Sequence, residues 1–217
     1  MKPLVVAGIG TDVGKTVVSA ALCELLAADY WKPVVSGVAA GAVDDEIVSR
    51  LLSSQGSVSR TIFPSTYRLS QPLSPHIAAR LDGLRVDMDR LVPPVTSRAL
   101  VIELAGGVLV PLDEKLTNID LLSKWSFPVV VVSRHYLGSI NHTLLTLEAL
   151  NSRAIPVAGI IYVGNQLPDT EEVIGAISNV RLIGTIPELP TVDAATISQV
   201  ALSGCLDKRA LFEALGE

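Results

Sequence analysis

The stretch from Leu4 to Thr16, Leu-Val-Val-Ala-Gly-Ile-Gly-Thr-Asp-Val-Gly-Lys-Thr, constrains the fold more than any other part of the chain. Four apolar residues run into Gly8 as a buried strand would. Gly8, Gly10 and Gly14 let the backbone turn tightly and approach a ligand closely. Lys15 and Thr16 then open an apolar-periodic helix over Val17 to Ala28. A helix start presents unpaired N–H groups and the positive end of a dipole, so a glycine turn between strand and helix is a phosphate cradle. Lys15 adds a point charge for the β- and γ-phosphates, and the Thr16 hydroxyl is a ligand for Mg²⁺. Five residues separate Gly8 from Gly14, one more than in the usual phosphate loop. The pattern is therefore a deviant Walker A loop.

The rest of the chain alternates strand and helix. Tyr30 to Gly37 reads as a short strand ending in a small polar turn. Asp44, Asp45 and Glu46 precede a helical pattern, as the dipole favours. Thr61 to Leu69 reads as extended and broken at Pro64. Ser74 and Pro75 start a helix reaching about Asp82, and an irregular helix is predicted over Asp87 to Arg98 across Pro93 and Pro94. Ala99 to Glu103 is a strand, followed by a glycine turn over Leu104 to Gly107. Helices are predicted near Asn118 to Trp125, Ser139 to Asn151, Thr170 to Ile177 and Asp207 to Leu215. Strands are predicted over Phe127 to Ser133, Pro156 to Val163 and Arg181 to Ile186. This order implies an α/β protein with a doubly wound, mostly parallel sheet, of P-loop NTPase type and in a single domain over residues 1–217.

Composition agrees. The chain is 49% hydrophobic but only 4% aromatic, which suits Val/Ile/Leu strands buried on both faces of a parallel sheet. Net charge is −5 and no basic run occurs, which argues against a sequence-independent nucleic-acid surface. The 2 cysteines, Cys23 and Cys205, form no metal-ligand spacing and suggest a reducing compartment. No apolar run approaches a membrane span, and the strand begins within a few residues of Met1. A cytoplasmic protein without a signal peptide is the expectation.

In open α/β sheets ligands gather at the carboxyl ends of strands. Glu103 ends an apolar run there, where a carboxylate partner of Mg²⁺ belongs. The three acids Asp44 to Glu46 are explained equally well as a helix start. His76, His135 and His142 form no nucleophile–base pair readable from spacing; His76 reads as packing and His142 as a structural residue of a helix turn. The guanine-reading Asn-Lys-x-Asp pattern is absent. Partitioning ATPases of the deviant-loop class carry a lysine at the position of Gly10, so an ATP-switch or cobalt-insertion-regulator reading is the weaker alternative. A corrinoid amidating synthase would need an additional amidotransferase domain.

Five motifs in order resemble the dethiobiotin synthetase family: Gly8 to Thr16, Trp31-Lys32-Pro33-Val34-Val35-Ser36-Gly37, Pro72-Leu73-Ser74-Pro75-His76, Glu103-Leu104-Ala105-Gly106-Gly107 and Leu137-Gly138-Ser139-Ile140-Asn141-His142. Ile9, Gly10 and Leu104 depart from the family's usual residues. The resemblance implies ATP- and Mg²⁺-dependent carboxylation and ring closure of 7,8-diaminopelargonic acid with CO₂, through a carbamate and its phosphoric anhydride. It implies Lys32, Lys15 and Thr11 as catalytic residues. Asp12, Val13, Gly14, Lys15, Thr16, Val17, Gly106, Asn165, Pro187, Glu188 and Leu189 would contact the nucleotide. Ser36, Thr11, Asp12, Leu137, Gly138, Ser139 and Asn141 would contact the substrate. Thr16, Asp45 and Glu103 would hold Mg²⁺, with Asp44 the one-residue alternative to Asp45. The family's homodimer would complete the substrate site near the Ser139 helix.

Overall fold

The structure is a computed structural model describing residues 1–41, 43–53 and 60–216. Its strands are β1 (Leu4–Gly8), β2 (Asp29–Trp31), β3 (Val34–Ser36), β4 (Ile62–Phe63), β5 (Tyr67–Leu69), β6 (Leu100–Gly107), β7 (Val129–Arg134), β8 (Val157–Val163) and β9 (Leu182–Ile186). Its helices are α1 (Lys15–Leu26), α2 (Asp44–Leu51), α3 (Pro75–Leu81), α4 (Asn118–Trp125), α5 (Ser139–Asn151), α6 (Pro168–Ser178), α7 (Ala194–Leu202) and α8 (Lys208–Leu215).

Seven strands form one sheet in the order β4-β2-β6-β1-β7-β8-β9, and every pairing in it is parallel. Alternate residues of a strand face opposite sides, and β1 shows it. Leu4 and Val6 meet Val18, Leu22 and Leu26 of α1 and Leu211 of α8. Val5 and Ala7 join Ile119 and Leu122 of α4, Leu147 and Leu150 of α5 and Ile174 of α6. The sheet is thus buried on both faces. The consecutive strands β6 and β7 flank β1 on opposite sides, so a crevice opens at the carboxyl end of β1, where open α/β sheets bind ligands.

Three local expectations are corrected, and one unassigned segment gains a helix. Tyr30 to Gly37 is not one strand: β2 ends at Trp31, and β3 pairs with β5 in a separate two-stranded sheet. Pro33 has no N–H to give a ladder, and its carbonyl instead accepts from the Tyr67 N–H at 3.0 Å. Leu104 to Gly107 does not turn but continues β6, because Gly107 pairs with Gly8 and the Asn118 amide donates to the carbonyls of Ala105 (2.8 Å) and Gly107 (2.9 Å). Asp87 to Arg98 makes only a 3-10 turn over Met88–Arg90, since Pro93 and Pro94 cannot continue a helix. The residues between Pro190 and Asp207, unassigned from sequence, form α7, whose N-cap Asp193 accepts from the Thr196 N–H at 2.8 Å.

Candidate active site

The site is built by four chain segments reaching the crevice. The first is the loop after β1. A Cβ at Gly8 would lie 2.8 Å from the Gly10 carbonyl oxygen and from the Val13 side chain, so only glycine fits there. Gly14 is the N-cap of α1 in the left-handed region (φ 94), and a Cβ there would meet the Val163 side chain of β8 at 3.0 Å. Lys15, buried, donates to the Gly10 carbonyl at 2.7 Å. Thr11 and Asp12 are exposed at the loop tip.

The second segment is the end of β2, and the third is β6 beside it. The register pairs Tyr30 with Val101 and Trp31 with Ile102, which carries Lys32 alongside Glu103. Glu103 shares the face of Val101, the side covered by α1, so its carboxylate is wholly buried under Thr16. The fourth is the first turn of α2. Thr16 Oγ1 donates to Asp44 Oδ1 at 2.6 Å, and lies 3.1 Å from Glu103 Oε1. Lys32 Nζ bridges Asp44 Oδ2 at 2.7 Å and Glu103 Oε1 at 2.8 Å. Tyr30 Oη donates to the other Glu103 oxygen at 3.0 Å. Two hydroxyls, two carboxylates and one ammonium therefore share a few ångströms of largely buried space.

Asp45 is not in that set. Successive positions on a helix are about 100° apart, so the residue after Asp44 points elsewhere. Its carboxylate pairs with Arg68 of β5, which also donates to Glu46 at 3.0 Å. The expectation that Asp45 joins Thr16 and Glu103 is thus corrected: its one-residue alternative Asp44 stands beside them, and Asp45 pairs with Arg68. Three hard oxygen donors, on Thr16, Asp44 and Glu103, suit Mg²⁺.

The electrostatics follow from burial and pairing. Burial alone would lower the Lys32 ammonium, but the carboxylates of Glu103 and Asp44 hold it above the usual lysine value. Burial pushes Asp44 up, and is outweighed by Lys32 and by the Thr16 hydroxyl, which hold it below the ordinary carboxylate range. Burial, against the pull of Glu103 and with the push of Lys32, brings Lys15 down to about 8. Burial and Glu103 raise the Tyr30 phenol well above its usual value. Ser36 Oγ is buried with no hydrogen-bond partner among the described residues.

The other expected residues lie around this centre. Gly106 has φ 66 and faces the loop, with Thr11 Oγ1 at 3.6 Å from where its Cβ would stand. Val17 follows Thr16 on α1, half-buried. Leu137 is fully exposed, Gly138 is the N-cap of α5, Ser139 is buried and Asn141 exposed. Between the loop after β1, the exit of β6 and α5 runs a cavity of about 380 Å³, lined by Thr11, Val108, Pro111, His142 and Leu145 among others. Asn165 is exposed in the turn after β8, and Pro187 and Glu188 are exposed after β9 with Leu189 half-buried. Gly164 N–H donates to the Ile186 carbonyl at 2.9 Å, tying those two turns together. Sequence reasoning missed Tyr30 and Arg68. Neither carried a signal in the sequence: the β2–β6 register sets Tyr30 beside Glu103, and Arg68 stands isolated in its segment.

A family model described as an AAA domain matches residues 2–196. Curated relatives are the ATP-dependent dethiobiotin synthetases of Rhodopseudomonas palustris (44% identical, covering 89% of this chain and 91% of that protein), Brucella anthropi (46%, 91% and 92%) and Agrobacterium fabrum (45%, 90% and 90%). Among solved structures, the MinC:MinD cell division complex of Aquifex aeolicus is similar at TM-score 0.57 and 13% identity, covering 100% of this chain and 96% of that one. A ParA family ATPase from Chlorobium tepidum is similar at TM-score 0.53 and 13% identity, covering 100% of both chains. At such identities these two likenesses show the fold alone.

Proposed function

This chain belongs to the dethiobiotin synthetase family, and we propose that it uses Mg-ATP and CO₂ to close the cyclic urea of dethiobiotin on 7,8-diaminopelargonic acid. One amine adds to CO₂, loses a proton and becomes a carbamate. A carbamate oxygen attacks the γ-phosphorus, and ADP leaves with the electrons of the broken P–O bond. The neighbouring amine attacks the carbonyl carbon of the mixed anhydride, loses its proton and expels phosphate.

The observation that carries this reading is Lys32, a buried ammonium held 2.7–2.8 Å from two carboxylates beside the phosphate loop. Carbamate and γ-phosphate are both anionic, and fixed positive charge with aligned N–H donors offsets their repulsion. Lys15 and the α1 N-terminus face the phosphates. Lys32 serves the developing charge between carbamate and phosphorus. Thr11 and the unpartnered Ser36 hydroxyl are donors for the carbamate. Thr16, Asp44 and Glu103 would hold Mg²⁺, which when bound neutralises phosphate oxygens. Asp12 to Val17 and Gly106 border the triphosphate, and Asn165 with Pro187 to Leu189 borders the base.

The cavity beside α5 supports an apolar carbon chain, and the α5 N-terminus at Gly138 and Ser139 supports a carboxylate at its far end. Exposed Leu137, Ile140 and Leu145 on this side support a second copy completing the site as a homodimer. Among the described residues no helix is long and apolar enough to cross a membrane. Both cysteines are free, which supports work in a reducing compartment such as the cytoplasm. The test is incorporation of carbon-labelled bicarbonate into an acid-stable product with Mg-ATP and the diamine. Stable label that requires all three supports the reading; label that never becomes acid-stable contradicts ring closure.

A further inference from the structure

His135 plays no part in the phosphate chemistry, yet it is a built-in feature. It follows β7 directly, and its side chain is only 6% exposed. The ring stacks on Tyr162 of β8, centroids 4.8 Å apart and planes 19° off parallel. Its Nε2 lies 3.1 Å from Glu171 Oε1, while Nδ1 is buried without a partner among the described residues. The proton therefore belongs on Nε2, donated to the carboxylate.

Glu171 has a second duty. The same Oε1 accepts the Leu167 N–H at 3.2 Å. Leu167 is the N-cap of α6 and brings no side-chain cap of its own, so Glu171 satisfies an amide that helix starts leave unpaired. This fixes one end of the turn from Gly164 to Leu167. The other end is fixed by Val163, which packs on Gly14, and by Gly164, at φ 108, bonded to Ile186. Asn165 lies between these anchors, two residues from the strand end that rests on the phosphate loop. Arg134, next to His135, reaches Glu188 in the turn after β9 at 3.3 Å, an exposed pair that contributes little alone.

We propose that His135 is a positioning residue for nucleotide recognition: through Glu171 it holds the Gly164–Leu167 turn where Asn165 meets the base. The proposal rests on the reading of Asn165 as a base contact. It requires that loss of the His135–Glu171 bond weaken nucleotides through their base and leave their phosphates alone.

The experiment compares binding of ATP and of inorganic tripolyphosphate, with Mg²⁺, to the full chain and to His135→Ala, His135→Gln and Asn165→Ala. His135→Gln keeps a side-chain donor and guards against a folding defect in the alanine variant. The expected result is roughly tenfold weaker ATP binding in His135→Ala, as for loss of one buried hydrogen bond. Tripolyphosphate affinity and kcat at saturating ATP stay within about twofold, and His135→Gln recovers most of the ATP affinity. Equal weakening of ATP and tripolyphosphate would overturn the proposal, since the effect would then be general. If Asn165→Ala weakens ATP selectively and His135→Ala does not, the positioning role falls and the base reading stands. If Asn165→Ala leaves ATP binding unchanged, the base reading falls and takes the proposal with it.

Discussion

In the proposed reaction, Lys32 is the residue on which the chemistry turns. The negative charge it meets grows only as carbamate approaches phosphorus, which is the condition for lowering a barrier and not merely a KM. Lys32→Gln keeps length and some hydrogen bonding but removes the charge. It is expected to lower kcat by roughly 10²–10³ while direct ATP binding changes little, because Lys15 and the loop amides remain. Loss of ATP binding in proportion to turnover would make Lys32 a ground-state phosphate ligand. The acids of α2 make a second residue-scale prediction. Asp44 touches Thr16 and Lys32, whereas Asp45 touches Arg68. Asp44→Asn is expected to raise the Mg²⁺ concentration for half-maximal turnover roughly tenfold or more, about 1.4 kcal/mol of metal binding. Asp45→Asn is expected to leave that concentration nearly unchanged. A Mg²⁺ titration on both variants decides, and the reverse order would return the role to Asp45.

At the scale of elements, α4 shows what sequence chemistry can specify completely. Thr117 caps it, and the Asp120 carboxylate accepts the Thr117 N–H at 2.8 Å, so both ends of a capping box are closed. Asp120→Ala is expected to cost about 1 kcal/mol, read as a lower midpoint in urea unfolding. Backbone and hydroxyl hydrogen bonds from Thr117 hold the Asp120 carboxyl below its ordinary 3.8. The stabilisation is therefore fully present above that value and is lost as pH falls through the folded one. The wild-type and Asp120→Ala midpoints should converge in acid, and a constant gap would contradict the capping role. The helices α4 and α5 were legible to the residue because local caps and periodicity decide them. The phosphate loop was legible because glycine, lysine and threonine spacing encode it directly. The division of β2 from β3 and the extension of β6 were not, since they depend on which strand arrives alongside. The Asp44/Asp45 choice was not legible for a related reason. Both acids suit a helix start equally, and only the packing of α2, with Asp44 toward Thr16 and Lys32 and Asp45 toward Arg68 of β5, separates them. In the same way nothing local marked His135, whose partners lie 27 and 36 positions on.

The molecule as a whole is a parallel sheet whose carboxyl edge gathers the phosphate loop, the end of β2, the start of α2 and the interior acid of β6 into one crevice. A ParA family ATPase and a MinC:MinD cell division complex share this architecture at 13% identity, so the fold by itself does not tell a ligase from an ATP switch. The expectation of a ligase rests on Gly10, where the weaker ATP-switch reading expects a lysine, and on Lys32 between Asp44 and Glu103. A ligase couples ATP cleavage to its substrate; a switch does not. The most direct measurement is phosphate release from the full chain with saturating Mg-ATP and bicarbonate, with and without 7,8-diaminopelargonic acid. The account predicts that release is negligible without the diamine and matches ring formation one for one with it. Release at the same rate with and without the diamine would contradict it.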